Sequence, residues 1–149
     1  MIEGLRPAIS ADRAAIEALV AAAYGPYVAA FGQRPGPMDD DYARLIADGR
    51  AQVVERAGAL VGLLVLIPQA DAMLLDNIAT APGLHGQGLG RALMARAEAQ
   101  ARAAGFLRIR LYTHQKMVRN QRIYAQAGYH ETRRVTERGL PRVYMEKPL

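Results

Sequence analysis

Four glycines are concentrated in one short segment of the chain, residues 80–91, with the sequence TAPGLHGQGLGR. The segment joins an apolar, strand-like stretch directly to a helix-like one. Because glycine has no Cβ, backbone N–H groups there can turn toward a ligand, and the helix start adds a positive dipole end. Such a turn is suited to binding phosphate. The competing interpretation is a turn that only packs a helix against a strand.

Two common phosphate motifs do not match this segment. A P-loop ends in Gly-Lys-Ser/Thr, whereas Gly88 is followed by Leu89 and Gly90. A dinucleotide fingerprint that starts at Gly86 requires a glycine where Arg91 stands, and no acidic residue lies near the end of the next strand to bind a ribose. The spacing therefore excludes both a P-loop and a dinucleotide-binding fingerprint.

Several kinds of catalysis are excluded by residue types that the chain lacks. It contains no cysteine, which rules out disulfides, thiolate metal ligands and a cysteine nucleophile, and no metal site is expected. Ser10 is its one serine. It precedes the apolar residues 14–19, where its side chain is expected to cap a helix rather than to serve in a hydrolase triad.

Basic residues outnumber acidic ones, and the excess lies in the C-terminal half. The chain has 19 Lys and Arg against 14 Asp and Glu, for a net charge of +5, and Lys116 and Lys147 are its only lysines. This balance favours an anionic partner such as nucleic acid or a phosphorylated cofactor. The alternative is that these arginines form a solvated surface.

The elements around the glycine-rich segment indicate an α/β protein with a mixed sheet. Apolar spacing and helix-end signals predict helices over residues 11–23, 39–49, 89–104 and 117–127. β-Branched and alternating stretches predict strands over residues 51–55, 60–67, 73–80, 107–113, 129–137 and 142–147. The length fits one domain, 1–149. Without a long apolar run or an export signal, a soluble, cytoplasmic protein is expected.

Three ordered motifs surround the glycine-rich segment. Residues 85–90 read HGQGLG, residues 75–82 form the strand before them, and residues 123–129 read IYAQAGY. These motifs resemble the fingerprint Gln/Arg-x-x-Gly-x-Gly/Ala, the strand that precedes it and the signature Leu-Tyr-x-x-x-Gly-Phe of the GNAT superfamily of N-acetyltransferases. The resemblance covers residues 60–144 and implies the GNAT fold, a mixed central sheet flanked by helices.

The resemblance implies that acetyl-coenzyme A (acetyl-CoA) is the co-substrate. Its pyrophosphate would lie in the turn formed by His85, Gly86, Gln87, Gly88, Leu89, Gly90 and Arg91. Its pantetheine arm would run beside Ile78, Ala79 and Thr80 like an added strand, where a backbone N–H polarises the thioester carbonyl. A plain core strand is compatible with the same three residues.

Two positions depart from the family pattern. His85 stands where the family has Gln or Arg, and its imidazole would hold a phosphate more weakly and with a pH dependence. Met117 stands where the family often has an asparagine. Asn120 lies four residues before Tyr124, on the same side of the helix, and is expected to contact the cofactor instead.

The implied reaction is direct attack of a primary amine on the thioester, which needs no protein nucleophile. Tyr124 is expected to protonate the leaving thiolate, because the pKa of a phenol, about 10, is roughly similar to that of the leaving thiol. The alternative is that the Tyr124 ring only packs. The base that deprotonates the amine is not identified, and the candidates are Tyr112, His114 and a water chain.

The acceptor is expected to enter over the N-terminal helices, as it does in the family. Tyr24, Tyr27 and Asp41 combine aromatic faces with a carboxylate there. This chemistry suits a cation, so a small basic amine or a lysine-like peptide acceptor is predicted. The alternative is that the aspartates at 39–41 only stabilise a helix N-terminus while the tyrosines pack in the core.

Two other functions are compatible with parts of the sequence. A coenzyme A-binding sensor or scaffold without catalysis would keep the glycine-rich turn, although Tyr124 argues against it. A nucleic-acid binder would use the basic C-terminal half, but aromatic residues are not interleaved with its arginines. Neither a nucleic-acid nor a membrane partner is therefore expected, and the terminal hairpin makes a homodimer possible.

Overall fold

The computed structural model describes residues 2–84 and 86–149. Its helices are α1 (Arg13–Tyr24), α2 (Pro26–Phe31), α3 (Tyr42–Ala47), α4 (Leu89–Ala103) and α5 (Val118–Gln126). Its strands are β1 (Leu5–Pro7), β2 (Ala51–Arg56), β3 (Ala59–Pro68), β4 (Met73–Thr80), β5 (Arg108–His114), β6 (His130–Glu137) and β7 (Leu140–Pro148). Within the described residues, no helix combines the length and apolarity needed to cross a membrane.

The strands form a mixed sheet, which confirms the predicted fold class. Their order is β1-β2-β3-β4-β5-β7-β6. β4 and β5 pair in parallel, whereas the pairs β1–β2, β2–β3, β5–β7 and β6–β7 are antiparallel. The β2–β3 hairpin turns through Ala57 (φ 51°) and Gly58 (φ 77°), and the β6–β7 hairpin through Arg138 (φ 51°) and Gly139 (φ 74°). Two successive residues with positive φ suit the twist of a tight hairpin.

The internal contacts divide the chain into two compact units. The first unit comprises Met1–Leu66 and Asn77–Ala97, and the second comprises Ile67–Asp76 and Glu98–Leu149. Fully buried core side chains of the first unit include Ile16, Val53, Leu63, Leu64 and Leu93. Those of the second unit include Ala101, Ile109, Leu111 and Val143. Each unit thus has an apolar core of its own.

Three local features differ from the sequence predictions. β1 and α2 were not predicted, because β1 has only three residues and α2 begins at Pro26, which reads as a breaker although proline is tolerated in a first helical turn. The predicted cap at Ser10 is wrong. Ser10 lies in a short 3₁₀ turn, and it is Asp12 whose carboxylate accepts the N–H of Ile9 at 2.8 Å.

Candidate active site

The glycine-rich segment forms a turn that leads directly into α4. Gly86 (φ +82°) and Gly88 (φ +83°) adopt the left-handed conformation that favours glycine, and a Cβ at either position would meet no atom within 4 Å. Gln87 is exposed between them. The Gly88 carbonyl accepts the N–H of Ala92 at 3.0 Å, so helical hydrogen bonding begins there. His85 lies outside the described residues.

The first turn of α4 supplies the candidate phosphate donors. α4 begins at Leu89, and the first N–H groups of a helix have no partner within the helix. The Leu89 side chain is buried, which anchors this turn. Gly90 has open space where a Cβ would project, and Arg91 is exposed. The segment therefore has the conformation and the open space that an anionic group requires.

The segment Ile78–Thr80 of β4 was predicted to carry the pantetheine arm, and its backbone is anchored by α1. Ala79 is buried, whereas Ile78 and Thr80 are half-buried. The Tyr24 hydroxyl lies 3.1 Å from the Ile78 carbonyl and 2.7 Å from Oδ1 of Asn77, and it can donate to either. Tyr24 therefore contacts the strand directly beside the predicted thioester segment.

Asn77 connects two helices to β4, and the sequence analysis missed it. Asn77 is only 3% exposed, and its Nδ2 donates to the Tyr42 hydroxyl at 3.1 Å. Tyr42 in turn donates to the Pro37 carbonyl at 2.5 Å. The signal that could have revealed Asn77 is a polar side chain within an otherwise apolar strand, since a buried amide is usually held by hydrogen bonds.

A carboxylate and a phenol meet where the parallel pairing of β4 and β5 ends. The pairing covers Met73–Leu75 of β4, and the next residue, Asp76, accepts a hydrogen bond of 2.8 Å from Tyr112 of β5. Burial raises the pKa of Asp76, while the Tyr112 hydrogen bond and the charge of Arg142 oppose this shift. The Arg142 guanidinium lies 4.2 Å from the Tyr112 ring centroid. The sequence indicates Tyr112 as a base candidate but does not indicate Asp76.

His114, the other predicted base candidate, supports a turn. Its Nδ1 accepts the N–H of Lys116 at 3.0 Å just before α5. Burial and the nearby Lys116 lower the pKa of His114, so the imidazole is neutral near pH 7. Among the described residues, no group of three or more His, Cys, Asp or Glu side chains is arranged to hold a metal ion.

Tyr124 lies near the end of α5 and is half-buried. Its ring meets the ring of Tyr129 at 6.1 Å between centroids and at 62°, an edge-to-face contact. The N–H of Tyr129 donates to the Tyr124 carbonyl at 3.0 Å, which ends the helix. Asn120, one turn earlier, donates from Nδ2 to Sδ of Met117 at 3.8 Å. Met117, which stands where the family often has an asparagine, is therefore in contact with Asn120, its predicted substitute.

The predicted acceptor residues have three different environments. Tyr24 holds β4 as described, and Tyr27 stacks on Phe31 with 5.3 Å between ring centroids. Asp41 caps α3, since its Oδ1 accepts the N–H of Arg44 at 3.1 Å. Asp41 therefore stabilises a helix N-terminus, which is the alternative role of the aspartates at 39–41.

The first unit contains a cavity of about 240 Å³ between α1 and the segment leading into α3. It is lined by Glu17, Val20, Ala21, Arg34, Met38, Asp40 and Tyr42. Arg34 is partly neutralised, because its Nε lies 2.9 Å from Oδ1 of Asp39. The cavity lining thus includes two carboxylates, one of them paired with Arg13 at 3.5 Å, and the buried Tyr42. Of the residues at 39–41, Asp40 faces this cavity.

Comparisons with known proteins identify the family of this chain. The chain matches the model of the acetyltransferase (GNAT) family over residues 16–129, most of its length, and therefore belongs to that family. An uncharacterized N-acetyltransferase of Mycobacterium bovis is 35% identical over 91 residues, which cover 59% of this chain and 58% of that protein. N-alpha-acetyltransferase 80 of Mus musculus is 39% identical over 64 residues, which cover 43% of this chain and 19% of that protein. The matched segment thus spans less than two thirds of either relative.

A solved structure shows the same fold over almost the whole chain. PaiA N-acetyltransferase from Thermoplasma acidophilum, determined in complex with coenzyme A, matches with a TM-score of 0.79 at 17% identity. The match covers 97% of this chain and 98% of that chain. The GNAT fold expected from the sequence motifs is confirmed.

Proposed function

We propose that this protein is an N-acetyltransferase that transfers the acetyl group of acetyl-CoA to a primary amine. The observation that carries the proposal is the turn of Gly86 and Gly88, both at positive φ, directly before α4 in a chain of the GNAT family. Residues 85–91 would bind the pyrophosphate, with Asn120 as a further contact. The N–H groups near Ala79 and Thr80 would polarise the thioester carbonyl. The coenzyme A complex of the T. acidophilum protein supports this choice of co-substrate.

The proposed reaction is direct attack of the amine on the thioester. The neutral amine forms a C–N bond to the carbonyl carbon, and the C–S bond breaks to release the thiolate of coenzyme A. The amine loses one proton and the thiolate gains one. A lysine-like amine with a pKa of about 10.4 is neutral in only about one molecule in a few thousand at pH 7. The protein therefore needs both a proton acceptor and a proton donor.

Tyr124 is the proposed donor to the thiolate. It is half-buried on α5, its ring is held by Tyr129, and it occupies the tyrosine position of the family signature. A phenol has a pKa close to that of the leaving thiol, so the proton moves without a large cost in free energy.

Asp76 is the proposed proton acceptor, and Tyr112 is its positioning residue. Burial raises the pKa of Asp76, which makes it a stronger base than an exposed aspartate. The hydrogen bond from Tyr112 fixes the orientation of the carboxylate at 2.8 Å. Asp76 would remove the ammonium proton directly or through one water molecule.

A cationic amine is the proposed acceptor class. The cavity beside α1 is lined by Glu17, Asp40 and Arg34, of which Glu17 pairs with Arg13 at 3.5 Å and Arg34 pairs with Asp39 at 2.9 Å. Tyr42 forms part of the wall and is hydrogen-bonded to Asn77, the residue before Ile78. Carboxylates beside an aromatic ring attract ammonium or guanidinium groups. With Asp41 capping α3, Asp40 replaces it as the proposed acceptor-binding aspartate, while Tyr24 and Tyr27 remain proposed contacts.

A thiol-release assay tests the proposed function. Acetyl-CoA is supplied with a panel of amines, polyamines, amino acids and peptides, and mass spectrometry detects the acetylated acceptor. We expect release with at least one cationic amine, and we expect Tyr124→Phe to lower kcat about 10²- to 10⁴-fold with little change in acetyl-CoA affinity. Thermal stabilisation by acetyl-CoA without release from any amine would instead favour the sensor function.

A further inference from the structure

A partly buried ion pair joins α4 to β7 in the second unit. Nζ of Lys147 lies 2.8 Å from Oε1 of Glu98, a residue that is only 8% exposed. Arg102, one turn further along α4, approaches the same oxygen at 3.8 Å. The Lys147 side chain is 25% exposed, and a pair that is partly hydrated and partly desolvated adds little to stability. Stability alone therefore gives no reason for these two residues.

The ion pair is linked to Tyr124 through one aromatic ring. Nζ of Lys147 lies 5.9 Å from the centroid of the Tyr129 ring, and Tyr129 is 3% exposed. The Tyr129 ring in turn meets Tyr124 edge to face. Because Tyr129 is enclosed on all sides, its ring limits where the Tyr124 ring can lie.

Gly128 leaves the space that the lysine stem occupies. A Cβ at this position would lie 3.2 Å from Cε of Lys147, closer than an ordinary contact. Gly128 also has φ +100°, which ends α5 after Gln126. The glycine of the signature thus serves both the helix end and the ion pair.

We propose that the Glu98–Lys147 pair is a positioning device for Tyr124. Acting through Tyr129, it holds the Tyr124 ring and sets the pH at which the Tyr124 hydroxyl loses its proton. The inference rests on the proposed role of Tyr124 as proton donor. The charged groups around Tyr129 are Glu98 and Arg102 from α4 and Lys147 from β7. Burial, followed by Glu98, raises the pKa of Tyr129, so this ring stays neutral.

The two charges predict shifts of opposite sign. Lys147→Met leaves the Glu98 carboxylate with Arg102, at 3.8 Å, as its remaining partner, and the weaker compensation disfavours a phenolate. In a plot of kcat against pH, the decrease at high pH is called here the alkaline limb. Its midpoint should move upward by about one pH unit. Glu98→Gln leaves the ammonium of Lys147 uncompensated, and the limb should move downward by a similar amount. The double variant should return the limb close to its wild-type position.

A purely structural ion pair gives a different result. Both single variants would then lower the melting temperature and leave the alkaline limb in place, or move it in the same direction. Either result overturns the inference. Lys147→Arg keeps the charge and is expected to keep the limb. Tyr129→Leu removes the ring, and it should lower kcat about tenfold without changing KM for acetyl-CoA. If Lys147→Met does not fold, Lys147→Arg and Tyr129→Leu still test the inference. An unchanged kcat in Tyr129→Leu would overturn it.

Tyr124→Phe separates this inference from the proposed function. If Tyr124 is the donor, the alkaline limb is lost in this variant. A limb that persists belongs to another group, and both the role of Tyr124 and the positioning by the ion pair are then wrong. A limb that is lost in Tyr124→Phe but does not respond to the charge variants removes the positioning device alone.

Discussion

The hydroxyl of Tyr24 in α1 lies 2.7 Å from Oδ1 of the buried Asn77 in β4, within hydrogen-bonding distance. The same amide donates to Tyr42 of α3. One asparagine therefore holds two helices on the strand, directly before Ile78. In the proposed function, those helices bind the amine and this strand holds the acetyl group. The hydrogen bonds of Asn77 therefore fix the position of the helices relative to the strand.

Tyr24→Phe is expected to lower the free energy of unfolding by about 1–3 kcal/mol, because Oδ1 of Asn77 stays buried and loses its donor. Tyr27→Phe is the matched control, since Tyr27 packs through its ring on Phe31, and its effect should stay within about 0.5 kcal/mol. Urea denaturation measures both variants. Equal effects would mean that the Tyr24 hydroxyl has no special role.

Gly88→Ala should weaken acetyl-CoA binding at least about tenfold. At φ +83° the added Cβ strains the backbone, so the turn and the N–H groups that follow it shift. Gly105→Ala is the control, because Gly105 also has a positive φ (+86°) and open space for a Cβ, but it follows the C-terminal end of α4, outside the turn. Isothermal titration calorimetry compares the two variants. Wild-type affinity in Gly88→Ala would contradict the assignment of this turn to phosphate.

Much of the fold could be predicted because its elements carry local signals. The strand predicted over residues 73–80 is found as Met73–Thr80, and the helix predicted over 89–104 as Leu89–Ala103. β1 carries no such signal. It exists because Leu5 pairs with Val54, a contact between residues distant in the chain, which a three-residue pattern cannot reveal.

The polar partners at the candidate site were less predictable, because they depend on contacts between distant segments. Tyr112 was named from its strand position, but its partner Asp76 lies 36 residues away. Tyr24 was named as an acceptor contact, whereas its partner Asn77 lies 53 residues away. The one local signal is that Asp76 and Asn77 are two adjacent polar residues between the apolar residues of β4.

Asp76→Asn should separate activity from stability. Burial raises the pKa of Asp76, so its charged form is less favourable in the folded than in the unfolded protein. The contribution of Asp76 to stability is therefore greatest at low pH and is lost as the pH rises from its ordinary value of about 4 through the raised pKa. A neutral asparagine avoids this loss. The variant should match or exceed the wild-type melting temperature at pH 7, and this advantage should disappear below about pH 4.

The same variant should lower kcat/KM by about 10²-fold or more, because the proposed base is gone. Thermal unfolding between pH 3 and pH 8 and steady-state kinetics at pH 7 provide the two measurements. Tyr112→Phe is the companion variant, and a smaller loss of kcat is expected because the carboxylate remains. Full activity of Asp76→Asn would leave the amine to be deprotonated by another route.

Asp40→Asn should lower kcat/KM for cationic amines about threefold to tenfold and leave neutral amines unaffected, because it removes one negative charge from the cavity wall. Asp41→Asn is the matched control. An asparagine still caps α3 through its side-chain oxygen, and Asp41 is committed to the N–H of Arg44. We expect the preference for cations to survive in Asp41→Asn and to weaken in Asp40→Asn. A loss in Asp41→Asn alone would restore the original assignment of that residue, and a wild-type preference for anionic amines would exclude a cationic acceptor altogether.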